Sequence, residues 1–133
     1  FETDLGDDEI LTAVEIPSKA SGTGSAYAKL FNPASRYAIV GAAAVVTVEG
    51  GTCTAASVAV GGLTTKATAA PAVAAALVGK SLDDDTIAAA AAAIADDLAD
   101  VDVMGDIHAS EAYRREMAPV MVARALKKAA SRA

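Results

Sequence analysis

Few residues in this chain are of types that do chemistry, and their spacing argues against a catalytic centre. A metal site would have to draw on Cys53, Asp102, Asp106 and His108. Asp102 and Asp106 are four apart but fall in a stretch read as a loop, so no two of these share a helical face, and none shows the short fixed spacings through which a chain presents ligands to zinc. Ser110 follows His108 closely, but a serine nucleophile needs a strand-to-helix elbow and a third, orienting group. A serine just ahead of an apolar-periodic run is explained as a helix cap. Gly22-Thr23-Gly24-Ser25 has the composition of a phosphate cradle. The chain then continues into an alternating strand, whereas phosphate loops hand over to a helix N-terminus. Cys53, the one cysteine, lies inside a strand pattern and reads as a buried thiol. Tyr113, Met117 and Met121 recur at helical spacing and read as core. The expectation is no catalytic residue and no metal ligand in this chain.

The elements that carry these residues are organised around Tyr37 to Gly62. Two apolar runs, AIVGAAAVVTVE and CTAASVAV, flank Gly50-Gly51, and two glycines between such runs predict a tight hairpin. On its second strand Thr54, Ala56, Val58 and Val60 fall on one face, and Cys53, Ala55, Ser57 and Ala59 on the other. The small second face is the one expected to receive alanine-rich helices. Upstream, Ile10, Thr12, Val14 and Ile16 alternate until Pro17, which predicts an edge strand. Ser25 to Phe31 predicts another, with Tyr27, Lys29 and Phe31 on one face. Asn32-Pro33-Ala34-Ser35 is a turn. Downstream the signals become helical: a short helix opening at Thr68 or Pro71 and ending at Leu77 before Gly79, and a longer one capped by Asp83 or Asp84. The longer one carries Ile87, Ala91, Ile94 and Leu98 on its buried stripe. A loop over Asp100 to Asp106 precedes a last helix from Glu111 to about Ser131, with Tyr113, Met117, Val120 or Met121, and Ala125 as its apolar face. Pro119 lies within that helix and is expected to bend or restart it.

Strands first and helices afterwards predict an α+β fold: a three- to four-stranded antiparallel sheet followed by about three helices packed on one face. The other face then has nothing in the chain to cover it, which points to a partner domain. At 133 residues one domain, 1–133, is expected. The composition is 53% hydrophobic but 4% aromatic, so the core must be built from small and branched aliphatic residues. A net charge of −6 excludes nucleic acid and anionic membrane as partners. Arg114-Arg115 and Lys127-Lys128 are expected to be solvated helix positions. The alanine run Ala88 to Ala93 is too short to span a bilayer, and Phe1-Glu2-Thr3-Asp4 has no leader-like pattern. With a lone cysteine, these features predict a cytoplasmic protein.

Several stretches, in one order along the chain, resemble a known family. Gly105-Asp106-Ile107-His108-Ala109-Ser110-Glu111-Ala112-Tyr113-Arg114-Arg115 resembles its D-x-R-A-S-x-x-Y-R-R signature. Asp8-Glu9-Ile10-Leu11 with Glu15-Ile16-Pro17 resembles its opening D-E-I-L-x-x-x-x-I-P, and Ser25-Ala26-Tyr27-Ala28-Lys29 its S-x-Y-x-K. Asn32-Pro33-Ala34-Ser35-Arg36-Tyr37-Ala38 followed by Val40-Gly41 is similar to its P-A-S-R-x-A-x-V-G. Gly61-Gly62 and Leu77-Val78-Gly79-Lys80 match its G-G and L-x-G-K. The family is the C-terminal domain of the FAD-binding medium subunit of molybdenum hydroxylases, the carbon monoxide dehydrogenase and xanthine dehydrogenase group. The chain departs from it at His108, where arginine is usual, and over Thr64 to Ala70, which lacks the usual proline and arginine.

The resemblance implies an accessory domain, part of an oxidoreductase, with no complete active site of its own and with the upstream FAD-binding domains absent. It would pack against those domains and support electron transfer from iron-sulfur clusters through FAD to an acceptor. The alternative is a purely structural subunit-assembly module without flavin contact. A stand-alone small enzyme is disfavoured by the missing constellation. FAD is implied for the full-length subunit and not for this fragment alone. The implied partners are the upstream FAD-binding domains, an iron-sulfur small subunit and a molybdenum large subunit, with no nucleic acid and no membrane insertion. Tyr27, Lys29 and Arg36, which match the Y-x-K and the arginine of the turn, are the implied FAD-proximal residues. The plainer alternative is that Lys29 is a solvated strand residue and Arg36 pairs with a carboxylate such as Asp106.

Overall fold

The computed structural model describes residues 3–133. Phe1 and Glu2, on which the reading of the N-terminus partly rests, lie outside the described residues. Strands β1 (Thr23–Phe31), β2 (Ala38–Glu49), β3 (Thr52–Gly61) and β4 (Thr68–Ala69) form one antiparallel sheet in the order β1-β2-β3-β4. Helices α1 (Pro71–Leu77), α2 (Asp84–Ala92), α3 (Ile94–Asp97) and α4 (Glu111–Ala130) follow. This is the expected α+β order. The β2–β3 hairpin closes at Gly50 (φ 56°) and Gly51 (φ 81°), positive values that a side chain would strain.

The core lies between the sheet and the helices. Val40, Ala42, Ala44 and Val46 project from β2 onto Ala118, Met121, Val122, Ala125 and Ala129 of α4, all of them buried. Val73 and Leu77 of α1 and Ile87 and Ala91 of α2 complete it. Alanine on both sides lets helix and strand approach closely, so stability rests on dense contact rather than on large anchors.

Helix ends are fixed by named acceptors. The Ser110 hydroxyl accepts the Tyr113 N–H at 3.2 Å and the Asp83 carboxylate that of Thr86 at 2.8 Å. Helix α1 has no cap of its own. Asp97 supplies one from α3, accepting the N–H groups of Ala72 (2.9 Å) and Val73 (3.2 Å).

Several expectations are corrected. Ile10 to Ile16 is no strand: Ile10 is 84% and Ile16 87% exposed. Alternation supplies side chains for a half-buried face, but a strand exists only where a neighbour takes up its backbone groups. The fourth strand is instead Thr68–Ala69, so only Pro71 opens α1. The faces of β3 are also exchanged. Ala56, Val58 and Val60 face the helices, and Ala55 and Ser57 face outward. Cys53 joins the core because Thr47 pairs with Ala55 while Val48 pairs with Cys53, leaving Thr54 as a bulge that reverses the alternation. The helix expected to run through Leu98 is interrupted at Ala93, although Ile94 and Leu98 remain buried. The buried stripe of α4 is Arg114, Ala118, Met121, Val122, Ala125, Leu126 and Ala129, which leaves Tyr113 and Val120 outside it. Helix α4 does not restart at Pro119; it is one helix through that residue.

Candidate functional site

The outer face of the sheet begins with β1, where Ser25, Tyr27, Lys29 and Phe31 are exposed in alternation. The Tyr27 ring lies across β2 at Gly41, where a Cβ would meet the phenol oxygen at 2.3 Å. Glycine at 41 leaves room for the hydroxyl end of the ring there. After Phe31 the chain turns. The Asn32 side-chain oxygen accepts the N–H groups of Ala34 (2.9 Å) and Ser35 (3.1 Å), the Asn32 N–H donates to the Tyr37 carbonyl and the Arg36 N–H to the Asn32 carbonyl, both at 2.8 Å. Arg36 sits at φ 64°, a left-handed conformation that costs a non-glycine residue about 1–2 kcal/mol. The closed turn holds it there.

Two contacts bring the turn and the strand together. The Lys29 ammonium donates to the Arg36 carbonyl at 2.9 Å, and the Arg36 guanidinium lies 4.1 Å from the Phe31 ring centroid. Tyr27, Lys29, Ser35, Arg36, Tyr37 and Ala38 line an open depression of about 400 Å³. The three residues singled out in the sequence are therefore gathered in one place. Arg36 does not pair with Asp106, the plainer alternative; its guanidinium lies over Phe31, and the Asp106 carboxylate is taken by Arg114.

Asp106 pairs instead with Arg114, the largest departure from expectation. Arg114 was expected in solvent but is 3% exposed. Its guanidinium donates to the Asp106 carboxylate at 2.6 Å, the Ile39 carbonyl at 2.8 Å, the Gly62 carbonyl at 2.7 Å and the Ala109 carbonyl at 3.4 Å. Arg115, also expected in solvent, donates to the Leu98 carbonyl at 2.8 Å, the Val101 carbonyl at 3.0 Å and Glu111 at 2.8 Å. A readable signal was present: Arg114 leads the spacing Ala118, Met121, Ala125, which is helical and otherwise apolar. The Asp106 carboxyl is held below its usual range, first by the His108 N–H, then by the Ala109 N–H and the Arg114 guanidinium. His108 itself is exposed, and among the described residues its side chain enters no ion pair.

Other candidates stay apart. Cys53 is buried, its thiol pushed up by burial, and no cluster of three or more His, Cys, Asp or Glu suited to a metal occurs among the described residues. No helix among them is long and apolar enough to cross a membrane.

Known proteins share this architecture. The family model of the CO dehydrogenase flavoprotein C-terminal domain matches residues 25–129. The carbon monoxide dehydrogenase medium chain of Afipia carboxidovorans is 35% identical over 127 residues, which cover 94% of this chain and 42% of that one. The structure of reconstituted CO dehydrogenase from Oligotropha carboxidovorans superposes with a TM-score of 0.78 at 32% identity, over 92% of this chain and 45% of that one. Quinoline 2-oxidoreductase from Pseudomonas putida 86 superposes with a TM-score of 0.73 at 31% identity, over 82% and 37%. The chain thus spans less than half the length of these relatives. With a sheet-and-helix order that follows theirs and a family match that begins within β1 and ends within α4, the chain belongs to the CO dehydrogenase flavoprotein C-terminal domain family.

Proposed function

We propose that this chain is the C-terminal accessory domain of an FAD-containing subunit in a molybdenum-dependent hydroxylase or dehydrogenase, and that Tyr27, Lys29 and Arg36 form one wall of the flavin site. The observation that carries the reading is the gathering of an aromatic ring and two cations on the uncovered face of the sheet. The residues suit such a group: the Tyr27 phenol, against Gly41 and half exposed, offers an aromatic surface, and the Lys29 ammonium keeps donors beyond the one given to Arg36. The depression is open rather than enclosing, so the remaining walls come from the FAD-binding domains of the same subunit, and this chain alone binds no FAD. Beyond those domains the partners are an iron-sulfur small subunit and a molybdenum large subunit. FAD, when bound, supplies the passage of electrons from the iron-sulfur clusters to an acceptor. Lys29 and Arg36 supply fixed positive charge beside it, which favours negative charge in a water-poor site. Tyr27 excludes water from that side.

The test is Lys29→Met and Arg36→Met in the complete subunit, with the flavin midpoint potential as readout. Removing a cation should lower the potential, for a loss of 1.4 kcal/mol by about 30 mV in a two-electron couple. Unchanged potentials in both variants, with the fold intact, would reject the flavin wall. One observation favours a second reading, a structural assembly module: Lys29 and Arg36 already hold partners within the turn. In that case the variants would weaken subunit assembly and leave the potential alone.

A further inference from the structure

A β-bulge lies beneath the turn that presents Arg36. Leu30 pairs with Val40, but Phe31 pairs with Ala38, so Ile39 is an extra residue in β2. The extra residue of a bulge is left out of the ladder, and a partly buried carbonyl there needs a donor from elsewhere. Arg114 provides it. One terminal nitrogen of its guanidinium, Nη1, reaches both the Ile39 carbonyl and the Gly62 carbonyl just beyond β3, while the other terminal nitrogen, Nη2, is anchored on Asp106. Asp106 is in turn held by the N–H groups of His108 at 2.8 Å and Ala109 at 3.0 Å. A planar fork with several donors can serve acceptors in three directions at once, which a lysine ammonium on a flexible stem cannot do with the same geometry.

We infer that Arg114 is a positioning residue for the Tyr27, Lys29 and Arg36 cluster, acting through the Ile39 bulge. The path is continuous in hydrogen bonds and backbone: Asp106 orients Arg114, Arg114 fixes the carbonyl of Ile39, and the bulge sets where the 32–38 turn stands against β1. The Arg36 carbonyl in that turn holds the Lys29 ammonium. Loss of the bulge would shift the pairing by one residue and turn the end of β2 to the opposite face, carrying the Arg36 carbonyl away from Lys29. The inference rests on the proposed flavin wall for its functional meaning but not for its geometry.

The experiment uses the complete flavin subunit with Arg114→Lys, which keeps the charge and loses the fork, and Asp106→Asn, which removes the charge at a half-exposed site and keeps an oxygen acceptor, each checked for folding by circular dichroism. Lysines are reductively methylated with carbon-13, and the Lys29 resonance is identified by its loss in Lys29→Arg. The Lys29 resonance should move toward the position of a free exposed lysine in both variants, and the flavin potential should fall as it does in Lys29→Met. Ser110→Ala, which weakens the same helix without touching the bulge, should move neither. An unmoved Lys29 resonance in both variants would overturn the positioning role, even if Lys29→Met itself shifts the potential. A moved resonance with no change of potential in any variant, Lys29→Met included, would support the positioning role and reject the flavin wall.

Discussion

The two faces of β2 carry residues of similar size and opposite fate. Val40, Ala42, Ala44 and Val46 are sealed under α4, whereas Ala43 and Val45, their immediate neighbours, are exposed, Val45 to 43%. Hydrophobicity does not distinguish the two sets. What distinguishes them is whether an element reaches across, and among the described residues only the inner face has one. The outer face is smooth and apolar, with Tyr27 laid over Gly41, and the N-terminal segment adds exposed Ile10, Leu11, Val14 and Ile16 beside the folded part. Exposed apolar residues gathered in this way are what a docking face presents, and they are the surface the proposed neighbouring domains would cover.

The sharpest way to break that comparison is to enlarge one alanine on each side. Ala42→Leu should cost about 1–3 kcal/mol, because the added atoms meet a packed helix. Ala43→Leu should stay within about 0.5 kcal/mol in the chain alone, as exposed substitutions do, while hindering assembly of the complete subunit. Urea unfolding of both variants decides it, and equal losses would show that the outer face is packed as tightly as the inner one.

A smaller effect tests whether the helix layer is held by its own local devices. Ser110→Ala removes the acceptor for the Tyr113 N–H and should lower stability by about 1 kcal/mol, with turnover of the complete enzyme unchanged. A large fall in turnover at unchanged stability would assign Ser110 to the chemistry.

The smallest effect is one of pH. The Asp83 carboxyl is lowered from 3.8 to about 2, first by the Ser81 hydroxyl and then by the Thr86 N–H. A depressed folded value means that its contribution is present above the unfolded value near 3.8 and is lost as the pH falls through about 2. Asp106 acts in the same direction. Urea midpoints between pH 5 and 2 should therefore fall less steeply in Asp83→Asn than in the parent chain, and identical slopes would contradict the cap.

The parts of the fold read from sequence are those written in local chemistry. Gly50-Gly51, Pro71, Gly79, Asp83 and Ser110 each act within a few residues of themselves, and each stands where its type predicts. The parts misread depend on distant residues. The bulge at Thr54 has no mark in CTAASVAV, yet it reverses which side of β3 meets the helices. The segment Ile10 to Ile16 has the alternation of a strand and no partner to make it one. The candidate site divides the same way. Tyr27 and Lys29 share a strand face by simple alternation, and resemblance adds Arg36, but the burial of Arg114 depends on Ile39 and Gly62, 75 and 52 positions away in the chain. A pair of arginines on a helix looks solvated until the carbonyls that require one of them are in place.

Helix α4 has a further consequence for the order in which the molecule forms. It covers β1 and β2, the first strands, yet it is the last element, and Arg132 just beyond it donates to the Ser25 carbonyl across 107 positions. During synthesis the hairpin can close once β3 has emerged as far as Gly61, but its inner face stays bare until the helix follows. Bringing together segments so far apart carries a loop-closure cost, though one that grows slowly with separation, before any contact rewards it. The apolar inner face of the sheet is therefore the last large surface to be covered, and slow synthesis between Gly62 and Glu111 should lengthen its exposure.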